Sequence, residues 1–202
     1  MGDYNYALNN PDIFNKKVRL KRGEQILKIL QQKIGKNKLK QLKVLDLGAS
    51  SGIITDYLTP NFKSVTGIDI DKSAIPKRKN FLFMAATDLK FPQNSFDIVI
   101  AHQIHFYIKD QEKLFKEIFR VLRPGGICFL AGVNKYWPFK RDQHVPTYYK
   151  SYWELESLCQ EFNIEKITPR IAKARTGYFL PLWLLKPFEP FYPNFIWLLK
   201  KD

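Results

Sequence analysis

Two features of this sequence have the residue types and spacing to bind a nucleoside. Gly48 and Gly52 bound a short turn that directly follows the apolar run Val44–Leu47, and Asp69 ends the next apolar run, about twenty residues further on. Glycines let the backbone approach a ligand closely, and a carboxylate after the second strand can accept hydrogen bonds from both ribose hydroxyls. The dinucleotide pattern G-x-G-x-x-G is absent, so a pyrophosphate is not required. Together they predict a nucleoside-containing ligand.

Three histidines are candidate catalytic residues. His102 and His105 follow an apolar run that predicts a strand, and His144 lies in a loop rich in proline and aromatic residues. A neutral imidazole near pH 7 can accept a proton, so each could be a general base. The structural alternatives are a pocket wall for His102, packing at a helix start for His105 and an ordinary loop position for His144. No residue pattern indicates a metal site, and the two cysteines lack the spacing of one.

Strands that alternate with helices surround these residues. A fold class of α/β is predicted, with a doubly wound, mostly parallel sheet and helices on both faces. Strands are predicted over 43–47, 64–70, 81–85, 96–101, 127–133, 164–171 and 195–199. Helices are predicted over 12–34 (one or two), 53–58, 110–122 and 152–162, with a short helix or turn over 71–78 and a turn over 123–126.

The positive charge is concentrated near the start of the chain. The net charge is +14, and residues 16–43 hold eleven Lys or Arg against one acid, Glu24. A surface of this kind could contact nucleic acid, anionic lipid or a phosphorylated substrate, and it could equally be a solvated face.

The length of 202 residues predicts a single domain. Its parts are basic N-terminal helices over 1–42, a cofactor-binding core over 43–134, and an acceptor lid with the final strands over 135–202. Cys128 and Cys159 are expected to be buried thiols, and no signal or membrane-spanning segment is evident. The expected location is the cytoplasm, with peripheral attachment to the inner membrane surface as an alternative.

Four motifs, in order, resemble those of one enzyme family. Val44–Gly52 is similar to the first motif of class I S-adenosylmethionine-dependent methyltransferases (type 11, UbiE-like), and Asp69 to their ribose-binding acid. Residues 86–97 resemble the adenine loop and the start of strand four, and 120–126 the turn before strand five. The sequence is therefore identified as a member of this family, which has a Rossmann-like, seven-stranded sheet.

The resemblance implies S-adenosyl-L-methionine as cofactor and S-adenosyl-L-homocysteine as product. Two positions depart from the family pattern, because Ser50 replaces the usual middle glycine and Ala85 replaces an aspartate that often contacts adenine. The implied cofactor-binding residues are Asp46, Gly48, Ala49, Ser50, Gly52, Asp69, Ile70, Ala86, Thr87, Asp88 and His102.

The methyl acceptor is less well defined by the sequence. Ala101–Tyr107 lacks the Asn/Asp-Pro-Pro-Tyr motif of exocyclic-amine methyltransferases, which favours O- or C-methylation of a small, lipid-linked or glycan-linked acceptor. An RNA or tRNA methyltransferase and a catalytically inactive cofactor-binding partner subunit are the alternatives. The aromatic segment Thr176–Pro193 could close the acceptor cavity or, together with the basic helix, attach to an anionic membrane.

Overall fold

A computed structural model describes residues 16–136, 145–167 and 194–202. The helices are α1 (Lys16–Ile34), α2 (Lys36–Leu39), α3 (Ile53–Leu58), α4 (Gln111–Val121) and α5 (Tyr152–Leu158). The strands are β1 (Lys43–Leu47), β2 (Ser64–Asp69), β3 (Phe81–Phe83), β4 (Phe96–His102), β5 (Leu122–Val133), β6 (Asn163–Ile167) and β7 (Asn194–Lys200).

The seven strands form one sheet in the order β3-β2-β1-β4-β5-β7-β6. Strands β1 to β5 pair in parallel, whereas β7 runs antiparallel to both β5 and β6. The central strands are almost entirely buried, which explains why they are mainly apolar, with Asp46 and Asp97 as the exceptions in β1 and β4. The predicted α/β fold with a mostly parallel seven-stranded sheet is thus confirmed. We call the edge where β1 to β5 end the carboxyl edge, and the opposite one the amino edge.

Each face of the sheet is covered by helices and has its own core. On one face, Leu114 and Ile118 of α4 and Leu155 of α5 pack with β-strand residues. On the other, Ile26 and Leu30 of α1 pack against α3 and the same strands. Helices on both faces are what the sequence predicted for a doubly wound sheet.

Helix α1 approaches α3 closely because Gly23 lies between them. A Cβ atom at Gly23 would lie 2.9 Å from Cδ1 of Tyr57. The buried face of α1 carries Gly23, Ile26, Leu27 and Leu30, and it also carries Arg19, one turn earlier. The tight packing therefore places a charged side chain beside the carboxyl edge.

Several predicted boundaries differ from the observed ones. Residues 71–80 form turns, in which Oδ1 of Asp71 accepts hydrogen bonds from the backbone N–H and hydroxyl of Ser73. Strand β5 already begins at Leu122, so the turn predicted over 123–126 is a bulged part of this strand in which Gly125 has a φ of 76°. Helix α5 ends at Leu158 rather than at residue 162.

The remaining predictions concern the cysteines, membrane-spanning helices, His144 and the aromatic segment. Cys128 and Cys159 are buried free thiols, as expected. Within the described ranges, no helix is long and apolar enough to cross a membrane. His144 and the aromatic segment 176–193 lie outside these ranges.

Candidate active site

The turn between β1 and α3 has the backbone geometry that its glycines predict. Gly48, Ser50 and Gly52 have φ values of 70°, 48° and 77°, a region that favours glycine. Side chains are also excluded sterically, since a Cβ atom would lie 2.7 Å from Ile104 Cδ1 at Gly48 and 2.6 Å from Phe81 Cζ at Gly52. Ser50, which replaces the family's glycine, adopts the left-handed conformation itself. The turn is therefore a backbone cradle at the carboxyl edge, with Ile104 and Phe81 packed against its two glycines.

Asp69 lies at the end of β2 and holds this turn in place. Its Oδ2 accepts a hydrogen bond of 2.8 Å from the backbone N–H of Ser50, and its Oδ1 accepts one of 2.9 Å from that of Asp71. Burial raises the pKa of Asp69, and these two backbone donors counteract the increase. Each carboxylate oxygen has a second lone pair. Asp69 thus retains capacity to accept a hydrogen bond from a ligand.

Arg19 contributes a positive charge to the turn. Its Nη2 donates a hydrogen bond of 3.4 Å to Oγ of Ser50, and the residue is buried. Arg19 is not among the residues predicted for the site, although its spacing of four from Gly23 and seven from Ile26 places it on the buried face of α1. A charged residue at a core-facing position was the signal that could have identified it.

Asp46, at the base of the turn, is buried and hydrogen-bonded. Its Oδ2 accepts a 2.6 Å hydrogen bond from the hydroxyl of Thr55. Burial raises the pKa of Asp46 to about 7; the Thr55 hydrogen bond lowers it, the negative charge of Asp69 raises it and the positive charge of Arg19 lowers it. Asp46 can therefore gain or lose a proton near neutral pH when a charged group binds beside it.

His102 ends β4 at the mouth of the site. Burial, followed by the positive charges of Arg22 and Arg19, lowers the pKa of His102 to about 3. The next residue, Gln103, has a φ of 58°, an uncommon conformation outside glycine and one that often marks functional sites. His102 is thus neutral at physiological pH, and its low pKa makes it a weak base.

His105 lies against the sheet rather than in the open turn. A Cβ atom at Gly132 of β5 would lie 1.9 Å from its Cε1, and the ring of Phe195 packs beside it. Burial lowers the pKa of His105 to about 3, and neither ring nitrogen has a hydrogen-bond partner among the described residues. This position corresponds to the packing alternative given for His105.

The remaining predicted contacts lie beside Asp69. Ile70 is half exposed and offers an apolar surface, while Ala86 is buried and Thr87 is partly buried in the loop after β3. Asp88 is exposed, and its carboxylate pairs with Lys90, which lowers its pKa.

Helix α4 fixes the loop that contains these residues. The backbone N–H of Leu89 donates to Glu117, and Arg120 donates to the backbone oxygens of Leu89 and Phe91. By resemblance, Arg120 was expected only in the turn before strand five. Its hydrogen bonds to the loop after β3 were not predicted. In the described part of the chain, no three His, Cys, Asp or Glu residues are grouped to hold a metal ion.

The residues present fit S-adenosylmethionine. The Gly48–Gly52 turn presents bare backbone to the methionine part, Asp69 retains acceptor capacity for ribose hydroxyls, and Ile70 provides a surface for a flat base. Arg19 suits the carboxylate of an amino acid, and Asp46, whose pKa is about 7, can ionise beside its ammonium group.

Comparisons with known proteins agree with this geometry. The family model described as a methyltransferase domain matches residues 45–130. A ubiquinone biosynthesis O-methyltransferase of Pelagibacter ubique is 28% identical over 121 residues, which cover 55% of this chain and 50% of the relative. Phosphoethanolamine N-methyltransferase 1 of Triticum aestivum is 34% identical over 176 residues, which cover 76% of this chain and 34% of the relative. The chain spans about half or less of the length of these relatives.

Solved structures show the same fold. A S-adenosylmethionine-dependent methyltransferase from Aquifex aeolicus superposes with a TM-score of 0.60 at 18% identity, covering 93% of this chain and 94% of that one. The sheet order, the glycine turn joined to Asp69 and the matched domain agree with one another. Residues 45–130 therefore match a methyltransferase domain, and the sheet has the fold of S-adenosylmethionine-dependent methyltransferases.

Proposed function

We propose that this chain binds S-adenosylmethionine at the carboxyl edge and transfers its methyl group to an oxygen or carbon atom of a small, lipid-linked or glycan-linked acceptor. The observation that carries the proposal is the Gly48–Gly52 turn, joined to Asp69 on one side and touched by Arg19 on the other. Asp69 suits the ribose hydroxyls at one end of the ligand, and Arg19 suits the amino-acid carboxylate at the other end.

When bound, the cofactor supplies a methyl group activated by its positively charged sulfur. The protein's task is then to orient the acceptor and exclude water. Ile104 packs directly over Gly48, so the segment after β4 covers the methionine end of the cradle. Because its pKa is about 3, His102 acts in this proposal as a pocket wall and hydrogen-bond acceptor rather than as a strong base.

The choice of acceptor atom rests on the segment after β4. Ala101–Tyr107 carries His102 and Gln103 where an amine methyltransferase of nucleic-acid bases would carry an Asn/Asp-Pro-Pro-Tyr motif. The relatives include both O- and N-methyltransferases. Methylation of oxygen or carbon is therefore proposed on the residues of this segment and not on the names of the relatives.

Two measurements test the proposal. Calorimetry with S-adenosylhomocysteine should show binding to the intact protein, and absence of binding would overturn the proposed function. Incubation of the protein with isotope-labelled cofactor and separate metabolite, lipid and RNA extracts, followed by mass spectrometry, should place the label in a small molecule or lipid. Label in RNA would favour the RNA methyltransferase alternative, and binding without any transfer would favour the inactive partner subunit.

A further inference from the structure

A row of exposed lysines lies on the amino edge, opposite the proposed cofactor site. Two belong to α2, just before β1; one precedes β2; and one ends the antiparallel strand β7, whose last residue is at this same edge. We call this row the amino-edge belt, and its members are Lys36, Lys38, Lys63 and Lys200.

The segments that carry the belt are joined to each other. The backbone N–H of Lys63 donates to the oxygen of Leu42, and Nζ of Lys40 donates to the oxygen of Pro60, which ties the segment before β1 to the segment before β2. The belt extends from β2 to β7 across five neighbouring strands. With strands about 4.8 Å apart, its length is about 19 Å.

Two acidic residues at this edge, Asp97 and Asp202, already have partners. None of the belt's four lysines forms an ion pair with an acidic residue in the described part of the chain. Asp97 accepts hydrogen bonds from the backbone of Lys43 and from Arg123, and Asp202 accepts one from the side-chain amide of Asn163. Like charges along one edge repel each other, so this arrangement produces a positive potential suited to an extended anion.

We propose that the amino-edge belt binds the phosphate backbone of RNA, independently of the methyl acceptor. A bilayer is a poorer fit, because stable attachment needs apolar insertion as well as charge. The large apolar side chains that are exposed in the described ranges lie elsewhere. They are Val18 in α1, Ile70, Leu82 and Phe83 in the carboxyl half of the β2–β3 region, Tyr136 after β5 and Trp153 in α5.

The location of the belt also separates it from catalysis. The turn at Gly48–Gly52 follows the carboxyl end of β1, whereas α2 precedes its amino end. RNA held by the belt is therefore bound at the edge away from the cofactor, and the belt acts as a tether rather than as part of the acceptor site.

Fluorescence anisotropy with a labelled single-stranded RNA of about 20 nucleotides tests this proposal. The belt variant carries Lys36→Glu, Lys38→Glu and Lys63→Glu. The control variant carries Lys109→Glu, Lys113→Glu and Lys116→Glu, which changes the net charge equally at exposed positions in α4 and just before it. The belt variant should lose about ten-fold or more in affinity, and its log-log salt slope should become shallower by about 2, whereas the control should lose no more than about two-fold.

Every other outcome contradicts the proposal. No binding of RNA by the wild type, or an equal loss in both variants, would overturn it, and so would binding of phosphatidylserine vesicles without binding of RNA. Affinity for S-adenosylhomocysteine should be the same in the wild type and both variants, which shows that they are folded. The RNA proposal can therefore fail while the proposed cofactor function stands.

Discussion

The backbone N–H of Ser50 donates a hydrogen bond of 2.8 Å to Oδ2 of Asp69, and this bond joins the β1–α3 turn to the end of β2. The same carboxylate also accepts the N–H of Asp71. One side chain thus fixes the shape of the cradle and, in the proposed function, also accepts hydrogen bonds from the ribose. Loss of Asp69 should therefore remove a ligand contact and the support of the turn together.

Asp69→Ala should weaken binding of S-adenosylhomocysteine by about ten-fold or more, because charge-assisted hydrogen bonds contribute about 1.5 to 3 kcal/mol. Asp88→Ala is the matched comparison, and it should change the affinity by less than about two-fold, since the exposed Asp88 carboxylate pairs with Lys90. Calorimetry measures both. Equal losses would mean that Asp88 contacts the ligand after all, and an unchanged affinity of Asp69→Ala would remove Asp69 from the site.

Arg19→Met should weaken binding of S-adenosylhomocysteine by about ten-fold or more and leave binding of 5′-methylthioadenosine nearly unchanged. The second ligand lacks the amino-acid part, which is the part that Arg19 is expected to contact beside Ser50. Lys21→Met, on the exposed side of the same helix, controls for the loss of one charge. A similar loss for both ligands would indicate that Arg19 only maintains the shape of the turn.

Two buried titratable residues, His105 and Asp46, should make the stability of the protein depend on pH in opposite directions. The pKa of His105 is lowered from 6.5 to about 3, so its protonation in the unfolded state reduces stability as the pH falls below 6.5. The pKa of Asp46 is raised from 3.8 to about 7, so its ionisation in the unfolded state reduces stability as the pH rises from about 4 to 7.

Urea unfolding of single variants should separate these two contributions. Relative to the wild type, His105→Leu should gain about 2 kcal/mol when the pH is lowered from about 7 to about 5. Asp46→Asn should instead gain relative to the wild type as the pH is raised over the same interval. Parallel pH dependences for the wild type and His105→Leu would show that His105 is not buried in its neutral form.

The order of elements could be predicted from the sequence because each central strand is a mainly apolar run. Val44–Leu47 and Phe96–Ala101 are almost entirely buried, and their predicted ends lie within one residue of the observed ends. The ends of α5 and β3 were placed less well, since short elements stop where tertiary contacts stop. Periodicity in the sequence does not contain that information.

The candidate site could be predicted only in part, because tertiary contacts bring some of its residues together. Gly48, Gly52 and Asp69 follow strand ends directly, so local sequence was enough to identify them. Arg19 lies 31 positions before Ser50, and their contact depends on how closely Gly23 lets α1 approach α3. The low pKa of His102 likewise depends on burial and on Arg22 and Arg19 from a distant helix.

Gly132 and His105 should be energetically coupled. Gly132→Ala should destabilise the protein by about 1 to 3 kcal/mol, because the new Cβ atom would lie 1.9 Å from Cε1 of His105. In a His105→Ala background the imidazole is absent, so Gly132→Ala should lower the free energy of unfolding much less. Urea unfolding of the two single variants and the double variant gives the coupling energy. Additive effects would contradict the packing of His105 on β5.

Titration of His102 should not contribute to the pH dependence of methyl transfer. With a pKa of about 3 it stays neutral from about pH 5 to pH 8, so wild-type turnover should show no inflection near 6.5 that depends on it. His102→Asn retains hydrogen-bonding ability, and it should lower turnover while keeping the shape of the pH profile. A limb of the profile between about pH 5.5 and 7 that disappears in His102→Asn would show that His102 is a general base with a near-normal pKa.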